Sequence, residues 1–214
     1  MLPRVLDEVE AYIAGIVASD GNITCIKRTC KTKIVTNEES YAYLLVKLIS
    51  NLNECNPKIY IDKESGMFEV YCYSKSFADK LKEKYQIRPG RKASSIEIPR
   101  LEENLVLWYV RGLYDGDSSI TELKIKLTRG NREYCYKLPR IVYKTKSPIL
   151  AKDLKSFLKS IGISAYMWVD SSIYTVVIDG VRNLFTFSKR IGYLHPLKKK
   201  RLLEILSHYS YNFT

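Results

Sequence analysis

The sequence predicts an α+β fold of two similar halves related by a pseudo-twofold axis, each ordered α-β-β-α-β-β-α. Three observations point there. The same succession of helix-like and β-prone segments runs twice along the 214 residues. Near the start of each run a helix rich in small residues ends on an aspartate, at Asp20 and at Asp117, 97 positions apart. Each aspartate is followed by a basic, β-prone stretch. A period of roughly 100 residues is too long for a solenoid repeat and fits a duplicated domain. The halves are expected at 1–99, linker included, and 100–214.

In the first half, apolar side chains at Val5, Tyr12, Ile13, Ile16 and Val17 give a helix over 5–19 that stops at Asp20-Gly21. Two short runs rich in Ile, Thr and Val, at 22–29 and 31–36, read as strands. Residues 40–52 form an amphipathic helix. KIYID and MFEVYCY read as a hairpin around Glu64-Ser65-Gly66, and 74–85 as another helix. The stretch 88–100, with Pro, Gly and Ser, reads as a linker.

The order then restarts. Residues 103–117 give a helix ending in acid, followed by strands at 120–128 and around 133–145. A helix at 148–160 begins at Ser147-Pro148. GISAYMWVD and SSIYTVVID form the second hairpin, and helices at 181–191 and 196–208 close the chain.

Apolar residues make up 46%, enough for a packed core. No apolar run approaches the ~20 residues of a membrane span, and Asp7, Glu8 and Glu10 sit where a signal peptide would be positive. A soluble intracellular protein, cytoplasmic or organellar, is expected. The net charge of +12 is unevenly placed: residues 1–103 carry 16 Lys+Arg against 15 Asp+Glu, and residues 104–214 carry 19 against 8. Residues 22–37 hold Lys27, Arg28, Lys31 and Lys33 with no acid, and 119–146 hold eight basic residues against Glu122 and Glu133. A solvated face usually mixes signs, so a polyanionic partner is the better reading. The five cysteines form no C-x-x-C pair and spell out neither a disulfide framework nor a zinc site. Thiols in a reducing compartment are expected, although Cys25 and Cys30 could face one another across a hairpin.

The two helix ends carry the specific signal. Ile13-Ala14-Gly15-Ile16-Val17-Ala18-Ser19-Asp20-Gly21 and Val110-Arg111-Gly112-Leu113-Tyr114-Asp115-Gly116-Asp117-Ser118 share the form apolar-x-Gly-apolar, then a small residue and Asp at one offset. Singly each is weak; as a pair at domain spacing they are strong. The chain resembles the LAGLIDADG homing endonuclease family in its single-chain, two-motif form, over nearly its whole length. Arg111 and Ser118 depart from the family's Ala and Gly, and Ser118 would be less free than glycine to take a positive φ.

The spacing agrees with the resemblance. Gly15 with Ser19, and Gly112 with Gly116, stand four apart on one helix face, and such small pairs let two backbones approach. If the helices pack together, Asp20 and Asp117 emerge beside one another. Two ionised carboxylates there repel unless a cation bridges them. Oxygen ligands beside phosphate suit Mg²⁺, with Mn²⁺ as a substitute and Ca²⁺ expected to support binding without cleavage. A mere capping role fits poorly, since the macrodipole disfavours an acid at a helix C-terminus.

The resemblance implies further roles. The backbone carbonyls of Ser19 and Gly116 would also reach the metal. Basic residues around the cleavage pocket would come from Arg88-Pro89-Gly90-Arg91-Lys92 and His195-Pro196-Leu197-Lys198-Lys199-Lys200, with Lys92 and Lys198 favoured beside Asp20 and Asp117 as catalytic. A polar residue at the end of the second strand is matched loosely by Asn37 and Thr145. The strands of each half would form a saddle over the major groove of double-stranded DNA, contacting it through Lys27, Arg28, Lys31, Lys33, Asn37, Lys124, Lys126, Arg129, Arg132, Arg140, Lys144 and Thr145. Alternation would turn Leu123, Ile125 and Leu127 into the core and Lys124, Lys126 and Thr128 outward, and Lys27, Thr29, Lys31 and Lys33 would share a face. The implied protein is a monomeric endonuclease hydrolysing phosphodiesters at a long, non-palindromic site. The alternative is a nucleic-acid binding protein without cleavage, an RNA splicing maturase or a DNA-binding regulator. A basic structural or ribosome-associated protein would explain the charge but not the matched helix ends. With only His195 and His208, and no G-x-x-x-x-G-K-[ST] loop, histidine-dependent nuclease and ATPase chemistries are not indicated.

Overall fold

In the computed structural model, which describes residues 2–3, 5–90, 94–129 and 132–210 and only the backbone at Arg129, Arg132 and Ser210, the first half runs α1 (Leu6–Ser19), β1 (Gly21–Ile26), β2 (Thr29–Thr36), α2 (Glu39–Asn51), β3 (Lys58–Ile61), β4 (Phe68–Tyr73) and α3 (Lys75–Tyr85). The second runs α4 (Glu103–Asp117), β5 (Ser118–Arg129), β6 (Arg132–Thr145), α5 (Pro148–Ser160), β7 (Ala165–Asp170), β8 (Ile173–Asp179) and α6 (Val181–Arg190), with α7 (Pro196–Ser210) added. Each half is αββαββα around a four-stranded antiparallel sheet, ordered β1-β2-β4-β3 and β5-β6-β8-β7. Local chemistry sets the boundaries. Ser74 and Ser147 cap α3 and α5 by accepting hydrogen bonds from Phe77 N and Leu150 N, and Pro148 opens α5.

Helix α1 is unlike a surface helix. Every residue from Val9 to Ala18 is buried, the signature of a helix enclosed on all sides, while Val5 lies outside the core and exposed. It packs along α4, and the buried apolar residues of both halves join in one cluster. The one acid in the buried stretch, Glu10, takes Lys84 Nζ at 2.7 Å, Lys80 Nζ at 3.1 Å and Tyr85 OH at 2.9 Å, fastening α1 to α3. Burial alone would push its carboxyl up, but the two ammoniums and the phenol hold it below its ordinary value.

The halves differ in their first hairpins. β1 and β2 have 6 and 8 residues, β5 and β6 have 12 and 14. β8 pairs with β6 only over Arg140–Thr145, so the outer part of β5 and β6 is a two-stranded ribbon reaching past the sheet.

Two sequence expectations fail here for one reason, strand register. Cys25 and Cys30 stand directly opposite on β1 and β2, their Cα atoms 4.1 Å apart, and form a disulfide rather than two thiols. Lys27 does not share the face of Thr29, Lys31 and Lys33, because it sits in the two-residue hairpin turn with a φ of 53°. Cys55, Cys72 and Cys135 are free thiols.

Candidate functional site

The close approach of α1 and α4 places the site. A Cβ on Gly15 would stand 2.9 Å from the Tyr109 main-chain carbonyl carbon, and one on Gly112 would stand 2.8 Å from Ile16 N. Both are closer than a side-chain carbon tolerates, so the helices touch backbone to backbone. One turn on, Ser19 lies against Gly116: a Cβ on Gly116 would be 2.7 Å from Ser19 Cβ and 3.4 Å from Asp20 Oδ2. The two helices therefore end together, with Asp20 and Asp117 both exposed at that end. The turns after them need no positive φ. Ser118 is extended at φ −93°, and its buried hydroxyl donates to Tyr114 O and meets Tyr193 OH at 2.9 Å. Gly21 is demanded instead by proximity, since a Cβ there would lie 2.5 Å from Val17 Cα. Arg111 lies over the Trp108 ring and donates to Ile191 O, tying α4 to the end of α6.

Each aspartate opens into its own cavity, and each cavity is completed by the opposite helix. Asp20 lines a space of about 360 Å³ with Asp115, Gly116, Asn37, His195 and Lys198. Asp117 lines one of about 330 Å³ with Ala18, Ser19, Tyr143, Lys144 and Thr145. Asp20 thus shares a cavity with the residues just before Asp117, and Asp117 with the residues just before Asp20. The strand ends match as well. Thr36 Oγ1 accepts from Glu38 N and Thr145 Oγ1 accepts from Ser147 N. Thr36 is therefore the counterpart of Thr145, and Asn37 that of Lys146, which also lines the Asp117 cavity. The longer β5–β6 hairpin raises the offset between the halves from 97 to 109, and the expected match of Asn37 with Thr145, at an offset of 108, is one residue out of register.

The Asp20 side holds a polar network. Lys198 Nζ donates to the main-chain oxygens of Asp115 and Gly116, each at 2.6 Å, and of Tyr114 at 3.2 Å. Burial pulls its ammonium below the usual lysine range, against the pull of Asp115, Asp20 and Asp117. Asp115, the acid two places before Asp117, is buried. It accepts from Tyr12 OH at 2.6 Å, Leu194 N at 3.0 Å and His195 N at 3.2 Å. Tyr12 OH also meets Tyr41 OH at 2.8 Å. Burial pushes the Asp115 carboxyl up to about 6, against the bonds it accepts. His195 stacks on Tyr41 with ring centroids 4.4 Å apart, and burial helped by Lys198 pulls its imidazole down to about 4. Its Nδ1 is buried without a hydrogen-bond partner.

Sequence reasoning passed over Asp115, Tyr12 and Tyr41 and set His195 aside; the only signal was a second acid inside the motif, where the first half has Ala18. Lys92 lies outside the described residues. Arg129 and Arg132 pair across the ribbon tip, and their side chains too lie outside the description. Arg28 shares the β1–β2 turn with Lys27. Lys144 is exposed at the Asp117 cavity.

The faces of the sheets turned away from the helices are unlike. On the first, Lys33 meets Glu69 at 2.8 Å, Lys31 lies 4.0 Å from the same carboxylate and 4.4 Å from the Tyr71 ring centre, and a groove runs past Asn22, Thr24, Ile26 and Tyr73. On the second, Arg140 engages Asp179 at 3.2 Å and Tyr166 OH at 3.3 Å, beside the stacked Tyr166 and Trp168. The expectation that Leu123, Ile125 and Leu127 face the core is overturned. They pair with Leu138, Tyr136 and Tyr134 on the same side as Thr121 and Arg140, opposite the buried Ile141 and Tyr143. Leu123 and Leu127 are 42% and 41% exposed. The alternation is there, but its apolar phase falls on the face turned away from the helices. Lys124 and Lys126 occupy its other face, both exposed.

Among the described residues no three His, Cys, Asp or Glu side chains cluster as a metal centre, and no helix is long and apolar enough to cross a membrane. Residues 104–192 match the model of the LAGLIDADG-like domain. No curated protein matches the sequence. Among solved structures, I-DmoI in complex with DNA and Mn is similar over 88% of this chain and 98% of its own, at 18% identity and a TM-score of 0.59. I-DmoI with DNA and Ca gives the same TM-score over 88% and 91%. Full-length DUF199/WhiA from Thermatoga maritima is also similar, over 95% of this chain and 62% of its own, at 16% identity and a TM-score of 0.59. At such identities the likeness shows the shared fold.

Proposed function

From a chain whose residues 104–192 are a LAGLIDADG-like domain and whose two halves share that fold, we propose a double-strand DNA endonuclease that uses divalent metal at Asp20 and Asp117. The observation that carries this reading is the reciprocal arrangement of the two cavities, in which each exposed aspartate shares a cavity with the last residues of the other helix. Two equivalent acidic places close together, one per half, suit the two antiparallel strands of a duplex. A basic binder without cleavage has no use for acids that repel phosphate. The alternative, a binding protein such as a maturase or regulator, is separated by the same residues: it predicts that Asp20 and Asp117 are dispensable.

The donor set fits Mg²⁺ or Mn²⁺. Carboxylate and carbonyl oxygens are the hard ligands these ions take, and Lys198 shows that the end of α4 receives a cation. Asp20, Asp117 and the carbonyls of Ser19 and Gly116 would hold the metal, leaving positions for phosphate and water. When bound, it offsets charge developing on the attacked phosphate. The chain itself aligns the carboxylates through the rigid Gly15–Gly112 contact. The β-strands, arched as a saddle, lie against the major groove. Lys31, Lys33, Arg140 and Lys144 lie on that face, and the exposed lysines of the ribbon's other side reach flanking phosphates. The apolar stripe from Leu123 to Tyr134 suits thymine methyls. Incubation of the chain with randomised duplex libraries and Mg²⁺, followed by sequencing of the ends, tests the activity; intact DNA under Mg²⁺ and Mn²⁺ would refute it.

A further inference from the structure

Arg140 is held on the outer sheet face in a way that an ordinary surface arginine is not. It stands on β6, which has a strand on either side, directly across from Asp179 on β8. Its Nε lies 3.2 Å from Asp179 Oδ1, and its Nη2 donates to Asp179 Oδ2 and to Tyr166 OH, each at 3.3 Å. The Tyr166 hydroxyl is also within reach of the same carboxylate. Tyr166 is braced in turn by Trp168, their stacked ring centroids 5.6 Å apart. Nη1 is what remains. It has no partner among the described residues and, unlike Nε, is not closed off from solvent.

We propose that Arg140 reads one guanine in the major groove of the second half-site, with Asp179 and Tyr166 as positioning residues that fix its guanidinium. This rests on the duplex-binding part of the reading above and not on cleavage. A guanidinium has donors and no acceptor, so it needs a base edge with adjacent acceptors. In the major groove only guanine offers two, at O6 and N7; adenine and cytosine present an amino group there, and thymine sets one acceptor beside a methyl. Phosphate also offers paired acceptors, but Asp179 already neutralises the guanidinium and would stand against a second anion. Holding the side chain in place beforehand reduces the freedom it loses on binding. The first half does not repeat this. With Thr36 matched to Thr145, Lys31 takes the place of Arg140 and faces Tyr73 rather than an acid, and an ammonium lacks the planar fork. Arg140 stands five residues before Thr145 at the Asp117 cavity. That is about 17 Å along the strand, or about five base pairs of duplex.

The test selects duplexes from a randomised library with the whole chain in Ca²⁺ and compares base preference position by position. Wild type is expected to favour guanine about tenfold at one position, about five base pairs from the middle of the site. Arg140→Ala should lose that preference and keep the others, with the slope of log K against log salt moved by less than about half a unit. Arg140→Gln should turn the same position to adenine, whose N6 and N7 suit an amide. Asp179→Asn and Tyr166→Phe should weaken the guanine preference without changing its place, and Asp179→Asn should steepen the salt slope because the guanidinium regains its charge. A guanine preference unchanged in Arg140→Ala would overturn the inference and leave the endonuclease reading standing. So would a uniform loss of affinity at all positions with a slope flatter by about one unit, which marks a phosphate contact. If Arg140→Ala does not fold, Arg140→Gln decides, because misfolding cannot convert one base preference into another, and a position still read as guanine overturns the inference. No duplex selected by the wild-type chain would overturn both readings.

Discussion

Tyr12 and Asp115, on helices of different halves and 103 positions apart, share a buried hydrogen bond of 2.6 Å. The same carboxylate accepts from the main chain at Leu194 and His195, so one side chain joins α1, α4 and the entrance to α7. Its raised value has a sign. A folded carboxyl at about 6 against an ordinary 3.8 binds protons that the unfolded chain has released, so its charge costs stability, up to about 3 kcal/mol, as pH rises through that window. His195 works oppositely. Its folded value of about 4 lies below the ordinary 6.5, so the unfolded chain takes the proton first and stability falls as pH drops from 6.5 towards 4. The two slopes offset one another in the wild-type chain. In Asp115→Asn the histidine slope is expected alone, with urea midpoints falling between pH 6.5 and 4. In His195→Gln midpoints are expected to rise as pH falls from 6 to 4. Parallel pH profiles for wild type and both variants would show that neither group titrates as its burial implies.

Replacing Gly112 with alanine puts a methyl into the main chain of α1, beside Ile16 N and the Gly15 Cα. Backbone cannot step aside as a side chain can. A loss of about 3 kcal/mol is expected, with the helix pair forced apart. Chemical denaturation measures it, and a loss below about 1 kcal/mol would mean the contact is looser than described.

Asn in place of Asp20 or Asp117 keeps the shape and removes the charge. Strand cleavage in Mg²⁺ should fall by a hundredfold or more, on the order of other losses of a charge-stabilising group, while duplex binding in Ca²⁺ persists. Binding lost in proportion to cleavage would assign the aspartates to docking instead.

Affinity should fall steeply with salt, each lysine on a phosphate contributing about −0.9 to the slope of log K against log salt. No ion pair among the described residues engages Lys124 or Lys126, whereas Glu69 holds Lys33 at 2.8 Å. Lys124→Ala or Lys126→Ala should therefore flatten the slope by about one unit. Glu69→Gln should tighten binding by releasing Lys31 and Lys33. A slope unmoved by all three would leave the sheet faces without phosphate contacts.

The element order was legible because local patterns dictate it: Gly15, Ser19, Gly112 and Gly116 announce a close helix pair, and Ser147-Pro148 announces a helix start. What depended on partners was not. Leu123, Ile125 and Leu127 alternate with lysine whichever face is inward, and nothing local says that β8 stops at Arg140 while β5 and β6 continue. Cys25 and Cys30 needed the register of β1 on β2. Asp115 reads as one more acid in its motif, and its bond to Tyr12 spans the two halves. The match of Asn37 with Thr145 misses by one residue because the sequence does not mark where β2 and β6 end, which the threonine-to-main-chain hydrogen bonds do.

The extra six residues in each of β5 and β6 lengthen the ribbon by about 20 Å at 3.4 Å per residue. Duplex DNA rises about 3.4 Å per base pair. A ribbon laid along the groove therefore covers about six more base pairs on its side of the cut than the β1–β2 hairpin does on the other. The recognition sequence should be lopsided, with the break displaced well away from its centre, and a mutation at the far end of the long arm should matter where the same distance on the short arm is bare DNA.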